Sequence, residues 1–119
     1  YLRNLSKVVV SLGRHGRGVI VGRGAHFILD PARTLRVRAI APLETRVARI
    51  AKREDMSLVE ARSLVLRVDS ERIAFYRQHF NVDVADPAHY DLIVNTGTLS
   101  IEVCADMAVR AFKARFVKS

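Results

Sequence analysis

The arginines are the residues of this chain best suited to chemistry. Its 20 Lys+Arg against 12 Asp+Glu give a net charge of +8, and arginine supplies most of the cations. They fall in three places. Arg23 stands between Gly22 and Gly24, directly after the apolar run Gly18–Val21; Arg46, Arg49 and Arg53 share one segment; Arg62, Arg67, Arg72 and Arg77 share the next. A guanidinium offers a planar fork of donors that matches phosphate oxygens, whereas lysine acts as a point charge. Phosphoryl transfer asks a protein for charge stabilisation and positioning rather than covalent chemistry. A charge-assisted hydrogen bond contributes about 1.5–3 kcal/mol, and micromolar-to-millimolar recognition needs roughly 4–8 kcal/mol. Two or three desolvated guanidiniums therefore suffice for a phosphate. Left exposed, each contributes under about 1 kcal/mol, so function depends on whether they line a cleft.

Other chemistries are weakly represented. At 100° per residue, Arg62, Asp69, Arg72 and Tyr76 fall within about 80° of one another, a stripe of two cations, a carboxylate and a phenol. The plainer reading of that stripe is a solvated face with Asp69 and Arg72 as an i,i+3 ion pair. His15, His79 and His89 read as surface residues, and no cluster has metal-ligand spacing. Cys104 sits in an apolar helical pattern and reads as a small core residue. Gly13 and Gly18 have the spacing of a phosphate loop, but Val19 follows where Lys and Ser/Thr are required. Gly22-x-Gly24 has Phe27 where a dinucleotide fingerprint needs a third glycine.

The elements that must position these groups follow from periodicity. Residues 2–13 predict an amphipathic helix, and Gly18–Leu29 a β-branched strand that resumes as an apolar segment beyond Arg23. An arginine at the carboxyl end of such a strand sits where open α/β sheets hold ligands. Residues 35–40 and 90–95 predict two more short strands, apolar enough to be buried on both faces. Pro42 opens a helix that closes at Glu54-Asp55. Ser57 and Glu60 have capping-box spacing and start a long helix to Phe80, whose apolar face is Ala61, Leu64, Val65, Val68, Phe75 and Phe80. Residues 99–116 predict a last helix with Ile101, Cys104, Ala105, Ala108, Ala111 and Phe112 inward. This order predicts one domain over residues 1–119, an α/β fold of three layers around a parallel sheet. Three strands make a thin sheet, so the first strands of a larger one are expected elsewhere.

At 119 residues, half of them hydrophobic, the chain has enough apolar surface for a core. One cysteine excludes an internal disulfide framework and fits a reducing compartment. No apolar run reaches the roughly 18–20 residues of a membrane span. A cytoplasmic protein is expected, with a homo-oligomer left open. The positive charge suits a nucleotide or another phosphorylated small molecule. Nucleic acid is the weaker expectation, because no aromatic stacking platform or reader module is present.

Four segments together resemble the cytidylate kinase-like family, a branch of the P-loop nucleoside monophosphate kinases: Val19–Ala25, Arg36–Glu44, Arg67–Tyr76 and Tyr90–Gly97. The resemblance spans nearly the whole chain. It implies a P-loop kinase-like fold and transfer of the γ-phosphate of ATP, with Mg²⁺, to a nucleoside monophosphate. It maps Arg23 to the acceptor's phosphate, and Arg49, Arg53 and Arg62, on the lid helices of about 43–80, to the phosphates in flight. It maps Asp69 and Arg72 to the grip on the acceptor nucleotide, and Asn95, Thr96 and Gly97 to the turn beside the adenine of ATP. No residue maps to a metal. Two departures stand out: Gly24 occupies the place of an Asp that follows Gly-Arg in cytidylate kinases, and the family's phosphate loop is not in this chain. Kinase activity is therefore not expected from these residues alone. The alternative expectation is a non-catalytic domain that binds a phosphorylated ligand or a protein partner.

Overall fold

Strand β1 (Val37–Ile40) lies parallel to strand β2 (Leu92–Asn95), in register from Val37 opposite Leu92 to Ile40 opposite Asn95. This is the sheet of the computed structural model, which describes residue 19 and residues 24–117. Parallel neighbours need a long crossover between them. Helices α2 (Leu43–Arg53) and α3 (Leu58–Phe80) supply it. Before them stands α1 (Ala25–Ile28), and after β2 comes α4 (Ile101–Phe116). Short 3₁₀ turns occupy Pro31–Arg33 and Pro87–His89. The architecture is α/β with a small parallel sheet.

Local signals set the boundaries. Pro42 caps α2 at its N-terminus, one residue ahead of the first helical position. The Ser57 hydroxyl oxygen accepts from the Glu60 N–H at 3.1 Å, and the same hydroxyl donates to the Glu60 carboxylate. This satisfies an otherwise unpaired donor at the start of α3. Asn81, at φ 53°, ends that helix in the left-handed conformation that asparagine tolerates. Ser100 caps α4 through the Val103 N–H.

Three expectations change. The apolar segment after Arg23 is not extended: Ala25–Ile28 forms one helical turn behind Gly24, whose φ of +70° and contact with Phe80 leave no room for a side chain. A four-residue apolar run does not distinguish strand from helix, and the glycine geometry decides it. The strands are not buried on both faces; among their residues only Val94 is buried, while Val37, Ile40 and Ile93 are exposed. In α4 only Cys104 of the six inward positions is buried, and Ile101 and Phe112 are 67% and 45% exposed. The helix expected over residues 2–13 and Arg23 lie outside the described residues. So does the strand expected from Gly18 to Val21, apart from Val19.

The tightest packing joins α2 to α3. Val47, Ala61 and Val65 are buried there, with Leu43, Ile50, Ala51 and Met56 packed against them. Ala61 at 0% exposure brings the two backbones close enough for side chains from both helices to meet across the seam. A second cluster, of rings, holds α1 against α3 and the segment before β2: Phe27 contacts Tyr76, Phe80 and His89, and His26 stacks on Tyr90 at 5.1 Å. Tyr76 is buried in this cluster, so the stripe read from α3 does not present its phenol to solvent.

Candidate functional site

Below the α2–α3 seam the two helices open into a cleft of about 380 Å³. Helix α2 contributes Arg46, Arg49, Ile50 and Arg53; α3 contributes Leu64, Val65, Val68, Asp69 and Arg72. The spacing explains the set. Residues 46, 49, 50 and 53 recur at three and four, so they share one face of α2, and 65, 68, 69 and 72 do the same on α3. The buried valines of the seam draw those faces together, and the arginines flank an apolar floor. Four guanidiniums against one carboxylate make the cleft strongly positive. Among the described residues its chemistry suits an anion with an apolar part.

Each cation is held in its own way. Arg46 Nη1 donates to both oxygens of Asp69, at 3.0 and 2.9 Å, while its Nε donates to the Ala41 carbonyl at 3.0 Å. The guanidinium is thus fixed between the end of β1 and α3. Arg49 donates from Nη1 to Thr96 Oγ1 at 2.9 Å and from Nη2 to the Thr96 carbonyl at 2.7 Å. Among the described residues Arg53 pairs with its neighbour Glu54, at 3.2 Å, and its side chain is 71% exposed. Arg72 stands 4.0 Å from Asp69 and is also well exposed. Arg53 and Arg72 are therefore the least committed cations of the cleft.

The turn after β2 is built by its own side chains. Asn95 Oδ1 accepts from the Gly97 N–H at 2.9 Å, and Thr96 is tied to the Ile40 carbonyl through its N–H and its hydroxyl. A β-carbon on Gly97 would stand 2.5 Å from Pro42 Cδ, so the turn and the start of α2 touch backbone to ring. Arg49 links this turn to the cleft. A separate clasp closes the other end of the sheet: Asp91 accepts from the Arg36 backbone N–H at 2.7 Å, from the Arg36 guanidinium and from Arg115. Arg115 also donates to the carbonyls of Thr34 and Pro31. Burial pushes the Asp91 carboxyl up, but the Arg36 bonds and the charges of Arg36 and Arg115 outweigh it and hold it below its ordinary range.

Of the expected site residues, the structure brings Arg49, Arg53, Asp69 and Arg72 to one cleft, with Thr96 bonded to Arg49 and Asn95 and Gly97 in the adjoining turn. Arg62 does not line the cleft; its guanidinium donates to the Glu44 carboxylate, from α3 to α2. The reason is axial: Arg62 lies within about 20° of Asp69 around α3 but seven residues nearer its start, about 10 Å along the axis, where Glu44 takes its guanidinium. Arg23 lies outside the described residues. The ion pair expected between Asp69 and Arg72 is secondary, because Arg46 takes both carboxylate oxygens. Arg46 is the residue that sequence reasoning left unassigned. Its spacing with Arg49 and Arg53 on one helix face was the available signal.

The donor set fits phosphate oxygens. It does not suit a bare cation: among the described residues no group of three or more His, Cys, Asp and Glu is placed to hold a metal. Among the described residues, too, no helix is long and apolar enough to cross a membrane.

The described fold has relatives. It is similar to the crystal structure of an uncharacterized protein from Eubacterium ventriosum, with a TM-score of 0.85, 21% identity, and coverage of 95% of this chain and 64% of that one. In sequence it is 37% identical over 109 residues to a cytidylate kinase of Methanothrix thermoacetophila, covering 87% of this chain and 60% of the relative. A cytidylate kinase of Methanopyrus kandleri is 33% identical over 92 residues, 77% of this chain and 48% of the relative. One of Pyrococcus horikoshii is 31% identical over 100 residues, 84% and 52%. The chain thus spans about half to three-fifths of the curated relatives it matches. Its residues 1–98 match the cytidylate kinase-like family, and the chain belongs to that family.

Proposed function

We propose that this chain forms the acceptor-side and lid part of a nucleoside monophosphate kinase. The reaction is attack by a phosphate oxygen of the monophosphate on the γ-phosphorus of ATP, with ADP leaving. The convergence of Arg46, Arg49, Arg53 and Arg72 on one cleft carries this reading. In a partly desolvated cleft, fixed donors aimed at a transferring phosphoryl group cost no reorganisation as charge develops. Arg49 and Arg53 serve the phosphates in flight. Asp69 and Arg72 grip the acceptor, which the family membership suggests is cytidylate. Arg23 meets the acceptor's phosphate, and the turn at Asn95, Thr96 and Gly97 faces the adenine of ATP. Arg62 keeps a place only if α2 and α3 shift on closure, since Glu44 holds it outside the cleft.

The whole fold on this reading is a three-layer, P-loop kinase-like sheet of which β1 and β2 are two strands. Family membership supports ATP as phosphoryl donor, a nucleotide as partner, and Mg²⁺ arriving with the nucleotide. The test is ADP formation by the product of the complete reading frame with CMP, dCMP, UMP and AMP as acceptors. Turnover with one of them, lowered about 10²–10³-fold by Arg49→Ala and less by Arg72→Ala, is the expected result. Nucleotide binding with no turnover for any acceptor would replace this reading by a non-catalytic nucleotide-binding domain.

A further inference from the structure

Thr96 spends its polar atoms inside the protein. Its N–H and its hydroxyl both donate to the Ile40 carbonyl at the end of β1, at 2.8 and 3.1 Å. A threonine hydroxyl carries one hydrogen. That hydrogen goes to Ile40, so a lone pair of the same oxygen faces Arg49 Nη1 at 2.9 Å. The Thr96 carbonyl accepts from Arg49 Nη2 at 2.7 Å. Two acceptors thus bracket the guanidinium, and the residue that carries them is itself pinned to the sheet. A guanidinium has five N–H donors; Thr96 takes two and leaves three for a ligand in the cleft that Arg49 lines. Arg53 and Arg72 are held less firmly, with side chains 71% and 58% exposed.

The geometry points to Thr96 as a positioning residue for phosphoryl transfer, one that acts through Arg49. An arginine on a helix surface loses side-chain freedom when it grips a ligand. Thr96 removes that freedom before the ligand arrives, so the guanidinium meets developing charge without reorganising. The same commitments leave the hydroxyl no hydrogen to offer a nucleobase. The role is therefore distinct from a contact with adenine, and any such contact is left to other atoms of the turn. The inference rests on the reading of the cleft as the phosphoryl-transfer site.

Steady-state kinetics of the full-length protein, wild type and Thr96→Val, with ATP and the accepted monophosphate each varied, test it. Valine keeps the side-chain shape and the backbone carbonyl and removes the hydroxyl. The expected result is kcat lowered about three- to tenfold, the scale of one hydrogen bond, with both KM values unchanged. Thr96→Ser, which keeps the hydroxyl, should restore kcat. In an Arg49→Ala background Thr96→Val should cost nothing further, because a residue that acts through another has no effect once that other is gone. A merely structural role would cost the same in both backgrounds. An unchanged kcat in Thr96→Val, with or without a raised KM for ATP, overturns the inference and leaves the kinase reading standing, as does full additivity with Arg49→Ala. Failure of wild type to turn over any of CMP, dCMP, UMP and AMP overturns both. Should Thr96→Val not fold, Thr96→Ala removes the same hydroxyl and reports the same constants.

Discussion

Arg49 grips Thr96 twice, donating to its hydroxyl at 2.9 Å and to its carbonyl at 2.7 Å across 47 positions of sequence. One guanidinium thereby ties the arginine face of α2 to the turn that ends β2. The two parts proposed to serve the transferring phosphoryl group and the adenine are joined by this one side chain. Any movement of α2 toward a ligand must carry the turn along or break the bond.

That geometry makes Arg49 and Thr96 unequal in a predictable way. Arg49→Ala removes both the tether and a cation of the cleft, and kcat/KM for the phosphotransfer should fall about 10²–10³-fold, the range for one lost transition-state donor. Thr96→Val removes only the hydroxyl and keeps the carbonyl, so its loss should be about tenfold or less. Steady-state rates of the full-length enzyme measure both. Equal losses would mean that Arg49 works only as a tether.

The Arg46–Asp69 clasp should matter for stability independently of catalysis. Its two short bonds span α2 and α3 beside the Val47–Ala61–Val65 packing. Both side chains keep some water contact, which limits the contribution to about 1 kcal/mol. Arg46→Ala should therefore lower the urea midpoint modestly while leaving the m-value unchanged. A double-mutant cycle with Asp69→Asn should return a coupling of about that size. Zero coupling would show that the pair contributes nothing to folding.

What the sequence made legible was local. Pro42, Ser57 with Glu60, and three-to-four residue spacing are signals carried within one element, and α2 and α3 begin and end within a residue or two of their expected places. The pairing of Arg46 with Asp69 is not local. It depends on how α2 and α3 fold back through Glu54–Ser57, and nothing in either helix records which arginine will face the carboxylate. Tyr76 illustrates the same limit: its helical angle places it beside Asp69, but the rings of His26 and Phe27 arrive from a distant element and bury it. The exposure of α4 has a similar origin, since periodicity ranks the faces of a helix without saying what packs against them.

Gly97 offers a sharper steric test. A β-carbon there would lie 2.5 Å from Pro42 Cδ and 3.1 Å from Asn95 Oδ1. The proline ring is rigid and caps α2, so it has little freedom to yield. Gly97→Ala should destabilise the protein by about 1–3 kcal/mol, as overpacking does. It should also raise the KM for ATP more than that for the acceptor, if the turn faces adenine. A thermal melt together with the two KM values decides it; an unchanged melt would show that the turn simply moves aside.

The last prediction concerns acid. The His26 ring is packed among Phe27, Tyr76 and Tyr90, and its Nε2 is buried without a hydrogen-bond partner among the described residues. Desolvation, then the neighbouring His89 and Arg36, lower its pKa from 6.5 to about 4. The unfolded chain therefore takes up a proton between these values that the folded chain refuses. Stability should be full above about pH 6.5 and should fall as pH drops toward 4. The ring keeps some solvent contact, so the loss should be about 1–2 kcal/mol rather than the full linkage value. Asp91 adds to this at lower pH: its depressed carboxyl stabilises the fold above its ordinary value of 3.8, and that contribution goes as pH falls through the folded value. Urea unfolding at pH 7, 6, 5 and 4.5 separates the two groups. His26→Phe, which suits the ring cluster, should flatten the decline between pH 6.5 and 4.5, whereas Asp91→Asn should lower stability across the whole range. A decline in that window that persists unchanged in His26→Phe would show that His26 is not its source.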